Sequence, residues 1–163
     1  MVDVIVVTFN RITYFKTFVE MLYLSTKVPF RLIVVDNGST DGSRELIIKL
    51  EKKGIIWKHI FTESNLPLAQ AFSEALPLCE SEFVLTVADD MVPSLFKEFD
   101  WLELFLAKIQ QDETVGSINF VASRCAFQSF NRRNRPRIEA RIKEEGGERL
   151  ELFNRLERII YDR

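Results

Sequence analysis

Three features of this 163-residue chain predict an α/β fold, a mostly parallel sheet with helices on both faces. Apolar runs of strand length alternate with stretches of helical period, the order expected of successive βαβ units. The strand runs are rich in β-branched residues and nearly uninterrupted, as strands buried on both faces are. Two of them, Leu32 to Val35 and Phe83 to Ala88, run directly into carboxylates. Charge therefore sits at the carboxyl ends of buried strands, the edge where open α/β sheets bind ligands.

Each element follows from its own pattern. Val2 to Thr8 is a first strand, and Phe15, Phe18, Val19 and Leu22 recur at helical spacing between Tyr14 and Leu24. Pro29-Phe30-Arg31 breaks that helix and leads into the second strand. Asn37-Gly38-Ser39-Thr40-Asp41-Gly42 is a turn, after which Ser43 or Asp41 could cap a helix running through Leu50. Gly54 ends it, and Ile55 to Phe61 reads as a third strand. A helix over Leu68 to Cys79, the strand Phe83 to Ala88, a helix over Leu95 to Gln110 and a strand-like run Val115 to Ala122 follow. Residues 1–122 form the expected core unit. Residues 123–163, a basic segment closed by an amphipathic helix over Leu150 to Tyr161, belong to the same domain as an acceptor-side element, lid or oligomer contact.

Composition narrows the function classes. With 47% hydrophobic and 28% charged residues the chain is an ordinary globular one, not a disordered one. A net charge of −2 gives no whole-chain case for nucleic acid. Met1 to Phe9 lacks the basic flank and cleavage site of a signal peptide, and no apolar run reaches the roughly 18 residues of a membrane span. Cys79 and Cys125 lack metal or redox spacing and read as buried, reduced thiols, which suits a cytoplasmic setting. His59 has no second ligand at a useful spacing and reads as a packed residue, as do Trp57 and Trp101.

The chemistry concentrates at two strand ends. Asp36 follows Val34-Val35 and can accept hydrogen bonds from a nucleobase N–H or a ribose hydroxyl; alternatively, Asp36 and Asp41 only satisfy turn and cap N–H groups. Asp89-Asp90 repeats the arrangement after Val87-Ala88, with Pro93 fixing the chain just beyond. Adjacent carboxylates repel unless a cation or hydroxyls share their field, and oxygen ligands of this kind suit Mg²⁺ or Mn²⁺ bridged to substrate phosphates. The alternative there is an acid-decorated helix start.

Three motifs now stand in order: Val4-Ile5-Val6-Val7-Thr8-Phe9-Asn10-Arg11, Val34-Val35-Asp36-Asn37-Gly38-Ser39-Thr40-Asp41, and Val87-Ala88-Asp89-Asp90. Together they resemble glycosyltransferase family 2 with the GT-A fold, a nucleotide-diphospho-sugar transferase-like three-layer sandwich. A weaker fourth match, Asn65 to Ala75, keeps Asn65 and Ala71 but departs at Pro67, Ser73 and Ala75. The resemblance covers residues 2 to about 122 and implies a metal-dependent, inverting transfer of a sugar from a nucleotide-diphosphate donor. It implies that Thr8, Phe9, Asn10, Arg11, Asp36, Asn37, Asn65 and Asp89 line the donor. Asp90 would hold Mn²⁺ or Mg²⁺ and act as the catalytic metal ligand.

Two departures matter. Ala88 stands where many relatives carry a first Asp, and no Glu-Asp pair follows Asp90 to serve as general base. Glu139, Glu144 and Glu145 are the remaining candidates for that base. The acceptor is undefined: a glycan, a lipid or a protein. From Arg124 to Lys143 seven basic residues face one Glu; this segment could gather a diphosphate, meet an acidic acceptor or lie on an anionic membrane surface, and could equally be a solvated linker. Only Phe127 and Phe130 interleave with it, so nucleic acid is not the expected partner. The closing helix leaves room for a homodimer. Two rivals stand beside the transferase: a non-catalytic nucleotide-sugar-binding module or lobe of a larger assembly, and a nucleotidyltransferase, which would want a glycine-rich loop where Phe9 to Thr13 has none.

Overall fold

The computed structural model of the chain describes residues 1–91, 100–112, 114–118 and 135–161. In chain order the elements are β1 (Val2–Thr8), α1 (Ile12–Ser25), β2 (Phe30–Asp36), α2 (Ser43–Lys52), β3 (Lys58–Phe61), α3 (Leu68–Ala75), β4 (Phe83–Ala88), α4 (Trp101–Gln110), α5 (Arg135–Glu145) and α6 (Gly147–Tyr161). The sheet has the order β3-β2-β1-β4 and every pairing is parallel. β1 is buried along its whole length, which is what its continuous β-branched run requires of a central strand.

Side-chain alternation divides the core. Val2, Val4, Val6, Leu32 and Val34 face α1, α2, α4 and α6 through residues such as Phe15, Phe18, Ile47, Leu102 and Leu156. Ile5, Val7, Ile33 and Val35 face α3 through Ala71 and Ala75. The two alanines let that helix sit close to the sheet. Three layers result, as the sequence predicts. The connections place α1 and α2 on one face while the chain steps outward from β1 to β3. It then returns over the opposite face through α3 to lay β4 beside β1. The strand order therefore reverses between β1 and β4, the topological switch point of the sheet.

Several elements differ from expectation for local reasons. β3 begins at Lys58 rather than Ile55, because the amides of Ile55 and Ile56 turn back to the Leu50 carbonyl and both side chains plug the core. Pro77, which has no N–H to donate, converts the end of the expected Leu68–Cys79 helix into a 3₁₀ turn over Leu76–Leu78. Val115 to Ile118 is irregular, and the rest of that expected strand lies outside the described residues. So do Pro93, Cys125, Phe127, Phe130 and the start of the expected helix at Leu95. The described part of the basic segment, from Arg135 onward, is helical, with Pro136 in the first turn where its missing N–H costs nothing. Cys79 is half-buried and free, and burial pushes its thiol pKa up. His59 packs on Phe61 and places Nδ1 2.9 Å from Glu51. None of the described helices is long and apolar enough to cross a membrane.

A buried polar knot ties the amino end of the sheet. The fully buried Asp3 carboxylate accepts from Arg31 Nε at 2.7 Å and Nη2 at 2.9 Å, and from the amides of Glu80 and Ser81 at 2.7 and 2.8 Å. It thus joins β1 to β2 and to the chain entering β4. Arg31 in turn lies 3.9 Å over the Trp57 ring, whose centroid is 3.8 Å from Lys58 Nζ. In the α1 layer, buried Glu20 accepts from Tyr161 of α6 at 3.2 Å. Buried Asp100 caps α4 and also accepts from the amides of Lys27 and Val28.

Burial alone would raise the Asp3 pKa, but the Arg31 and amide donors outweigh it and hold the group at about 2, below its ordinary 3.8. The folded state thus prefers the ionised form, and its contribution is complete above the ordinary value and lost as pH falls toward 2. Urea unfolding of the wild type should lose roughly 2 kcal/mol through this group over that window. In Asp3→Asn the same descent should be shallower from a lower starting stability, and an unchanged slope would reject the assignment.

Candidate functional site

The carboxyl edge of the sheet collects the acid tips of β2 and β4 on either side of Thr8, the last residue of β1. Thr8 pairs with Asp36 in the β1–β2 ladder, and its hydroxyl donates to Asp89 Oδ2 at 2.7 Å. With neighbouring strands about 4.8 Å apart, Asp36 and Asp89 stand roughly 10 Å from each other across β1. Both carboxylates are buried, at 0% and 3% exposure. The Thr8–Asp89 contact lies at the switch point itself.

Arg11, just before α1, reaches across to the second acid. Its Nη1 donates to Asp90 Oδ2 at 3.2 Å and lies 3.7 Å from Asp89 Oδ1. Burial pushes the Asp89 pKa up and the Asp90 charge adds to this, while Thr8 and Arg11 work in the opposite direction. Asp90 is half-exposed and open to a ligand. The pair presents hard oxygen donors next to a cation, and that donor chemistry fits Mg²⁺ or Mn²⁺ with the remaining ligands drawn from phosphate and water. Among the described residues no group of three or more His, Cys, Asp or Glu side chains could hold a metal by itself.

Asp36 is held differently. Its Oδ2 accepts from the Ser39 amide at 3.1 Å and from Arg44 Nε at 2.8 Å, whereas Oδ1 is buried and has no hydrogen-bond partner among the described residues. A buried acceptor left unmet costs about 1–3 kcal/mol, so this atom is poised for a donor. Asp41 serves the fold instead. Its Oδ2 accepts from the Ile12 amide at the start of α1, and Oδ1 from the Ser43 amide and hydroxyl. Burial alone would raise its pKa; those donors hold it below the ordinary range. The N-cap position of α2 falls on Gly42, at φ 90°, so neither Asp41 nor Ser43 occupies it.

The other expected ligand-lining residues divide in two. Phe9 and Asn10 are exposed at the edge, and Asn10 adopts φ 50° so that its amide reaches Ser39 Oγ and its Oδ1 accepts from Thr40 N. Asn37 is buried and saturated: Nδ2 donates to Asn65 Oδ1 and Leu66 O, while Oδ1 accepts from Leu66 N and Thr62 Oγ1. In this conformation Asn37 has no capacity left for a ligand, and Asn65 is engaged with it. Their work is to fasten the loop after β3 to the edge. Gly38 permits that close approach, since a Cβ on it would lie 2.9 Å from the Ser64 carbonyl carbon. Glu139, Glu144 and Glu145 all lie on α5, which packs against α6; Glu145 is ion-paired with both Arg141 and Arg149. None is brought to Asp89 or Asp90 by a described contact.

Residue-by-residue reading of the sequence missed Arg44 and Asp3. Both carried a signal. Arg44 puts a cation in the first turn of a helix, where the dipole disfavours it, and Asp3 is a lone charge inside a buried strand.

A family model described as "Glycosyl transferase family 2" matches residues 3–160. The chain belongs to that family. Among solved structures, the mannosyltransferase PcManGT from Pyrobaculum calidifontis, in complex with GDP-Man and Mn²⁺, is similar at 24% identity and TM-score 0.65, covering 78% of this chain and 37% of that one. The structure of S. aureus TarS 1-349 is similar at 25% identity and TM-score 0.58, covering 75% and 38%. The same TarS region in complex with UDP-GlcNAc aligns at 24% identity, TM-score 0.57, over 75% and 37%. The chain spans less than two fifths of the length of these structures. No curated protein matches it significantly. The fold of the family member described here is thus of the GT-A type, a parallel sheet between helical layers.

The close approach at Gly38 can be tested through stability alone. Gly38 has φ 88°, so Gly38→Ala meets both backbone strain and the Ser64 main chain. It should cost about 2–3 kcal/mol in denaturant unfolding. A loss within ±0.5 kcal/mol of zero would show that the loop does not pack against the edge as described.

Proposed function

We propose that this family member binds a nucleotide-diphosphate sugar at the carboxyl edge of its sheet and transfers the sugar to an acceptor hydroxyl. The observation that carries this reading is the convergence of Asp36, Thr8, Asp89, Asp90 and Arg11 on one edge at the switch point. The neighbours' complexes with GDP-Man and with UDP-GlcNAc support it by analogy.

In this reading Asp36 accepts a hydrogen bond from the base, Asp89 bonds the ribose or sugar hydroxyls, and Arg11 moves from the acids to the diphosphate. Asp90 and, beside it, Asp89 would hold Mn²⁺ or Mg²⁺, which when bound supplies charge neutralisation on the departing diphosphate. The acceptor oxygen forms a bond to the anomeric carbon as the bond from that carbon to the diphosphate oxygen breaks. The acceptor proton passes to a base. Inversion follows if that base lies on the face opposite the diphosphate. Glu139, Glu144 and Glu145 remain the chain's own candidates for it.

A second reading has its own support. Among the described residues no base is held by a described contact beside Asp89 and Asp90. A donor-binding lobe that works with an acceptor-side element would look like this. Slow hydrolysis or transfer of the bound donor by the isolated chain separates the enzyme from the lobe.

Thermal unfolding with UDP, GDP or their sugars and Mn²⁺ should show stabilisation by at least one nucleotide, since a ligand selective for the native state raises its stability. Asp90→Ala should abolish the Mn²⁺-dependent part of the shift while leaving the ligand-free melting temperature within a few degrees, roughly 2–4 °C. No shift with any nucleotide would reject the donor site.

A further inference from the structure

We infer that Arg44 is a positioning residue for base recognition, holding one oxygen of Asp36 so that the other is the acceptor offered to a ring N–H of the nucleobase. This rests on the donor-edge reading and adds to it a residue and a selection rule.

The geometry is specific. Asp36 is fully buried, and a carboxylate in that position needs charge compensation and filled lone pairs. Arg44 supplies the charge through Nε at 2.8 Å, and the Ser39 amide completes the same oxygen, Oδ2. Arg44 is itself fixed at two further points, donating through Nη2 to the Thr62 carbonyl and lying 5.2 Å over the Phe61 ring. From its place in α2, Arg44 thus bridges the end of β2, at Asp36, and the end and exit of β3, at Phe61 and Thr62. The guanidinium therefore fixes the carboxylate plane relative to the whole edge. Oδ1 is left buried with no partner among the described residues.

A merely structural ion pair would gain by satisfying both oxygens, as Asp3 does at the amino end with four donors. Asp36 is arranged the other way, with donors on one side only. An acceptor-only group selects N–H and rejects a lone pair or a methyl at the same place. Uracil N3–H and guanine N1–H both meet that requirement. Because Oδ1 is closed from solvent, the base reaches it by parting the side chains at the sheet edge. The bond from Nη2 to the Thr62 carbonyl restrains the guanidinium and with it the turning of the carboxylate.

The test is calorimetry on the whole chain with Mn²⁺ and five probes: UDP, N3-methyl-UDP, GDP, N1-methyl-GDP and inorganic pyrophosphate. Wild type should prefer the unmethylated member of at least one nucleotide pair by about tenfold, the value of one charge-assisted hydrogen bond. Arg44→Gln should reduce that preference to about twofold or less while pyrophosphate affinity holds, because pyrophosphate does not reach Asp36. Arg44→Lys, which keeps the charge but not the planar fork, should fall between and covers the case in which the Gln variant fails to fold. An unchanged methyl preference in either variant, or an equal loss for pyrophosphate, overturns the inference alone; a wild type with no such preference overturns it together with the base contact assigned to Asp36, leaving the diphosphate side of the donor edge standing. Failure of every nucleotide to bind wild type overturns the donor-edge reading as well.

Discussion

The ladders that β1 makes on both of its edges set the position of every side chain at the candidate site. A register of Thr8 with Asp36, and of Val7 with Ala88, brings two acid tips level on either side of one hydroxyl. Because strand side chains alternate faces, a slip of one residue in either pairing would turn the apolar set of that strand out of its layer. Burial of Val4, Ile5, Val6, Ile33 and Val34, each at 0% exposure, makes such a slip expensive. The same apolar packing that stabilises the sheet thus fixes the distance between carboxylates that carry no packing role of their own.

Polar stitching then turns a sheet edge into a defined surface. The turn after β2 is anchored to the turn after β1 by Asn10 and Asp41, and to the loop after β3 by Asn37. Each of these side chains belongs to a motif that reads as ligand-binding. Their bonds show a division of labour within one short stretch, in which Asp36 keeps an open valence and Asn37 and Asp41 do not. Stitching of this kind keeps loop geometry constant while Arg11 and Asp90, the more exposed members, stay free to rearrange.

How far the sequence discloses this depends on the residue. The β-branched runs and helical spacings specify the layers and the parallel sheet, because burial on both faces leaves few other arrangements. The acid tips of β2 and β4 are equally visible, since a charge ending an apolar strand can only emerge at the sheet rim. The roles of Asn37 and Arg44 are not visible there: each depends on a partner from another element, Leu66 and Asp36, that local spacing does not connect. The start of β3 is hidden in the sequence for a related reason. Ile55 and Ile56 look like strand residues because they are apolar and branched, yet they are buried by closing the end of α2. Among the described residues, general-base chemistry has no equally clear signature, as three glutamates on a charged helix look alike in one dimension.

At the opposite rim, the cations of Arg31 and Lys58 lie 3.9 and 3.8 Å from the centroid of the Trp57 indole. That arrangement makes its emission a built-in optical gauge of the amino-end knot, since loosening the Asp3 pair would release one cation from the ring and admit water. In a Trp101→Phe background, where Trp57 is the one remaining indole, fluorescence would then follow integrity of the scaffold from a position remote from the carboxyl rim. Structural damage and altered chemistry in a variant could be told apart in a single cuvette.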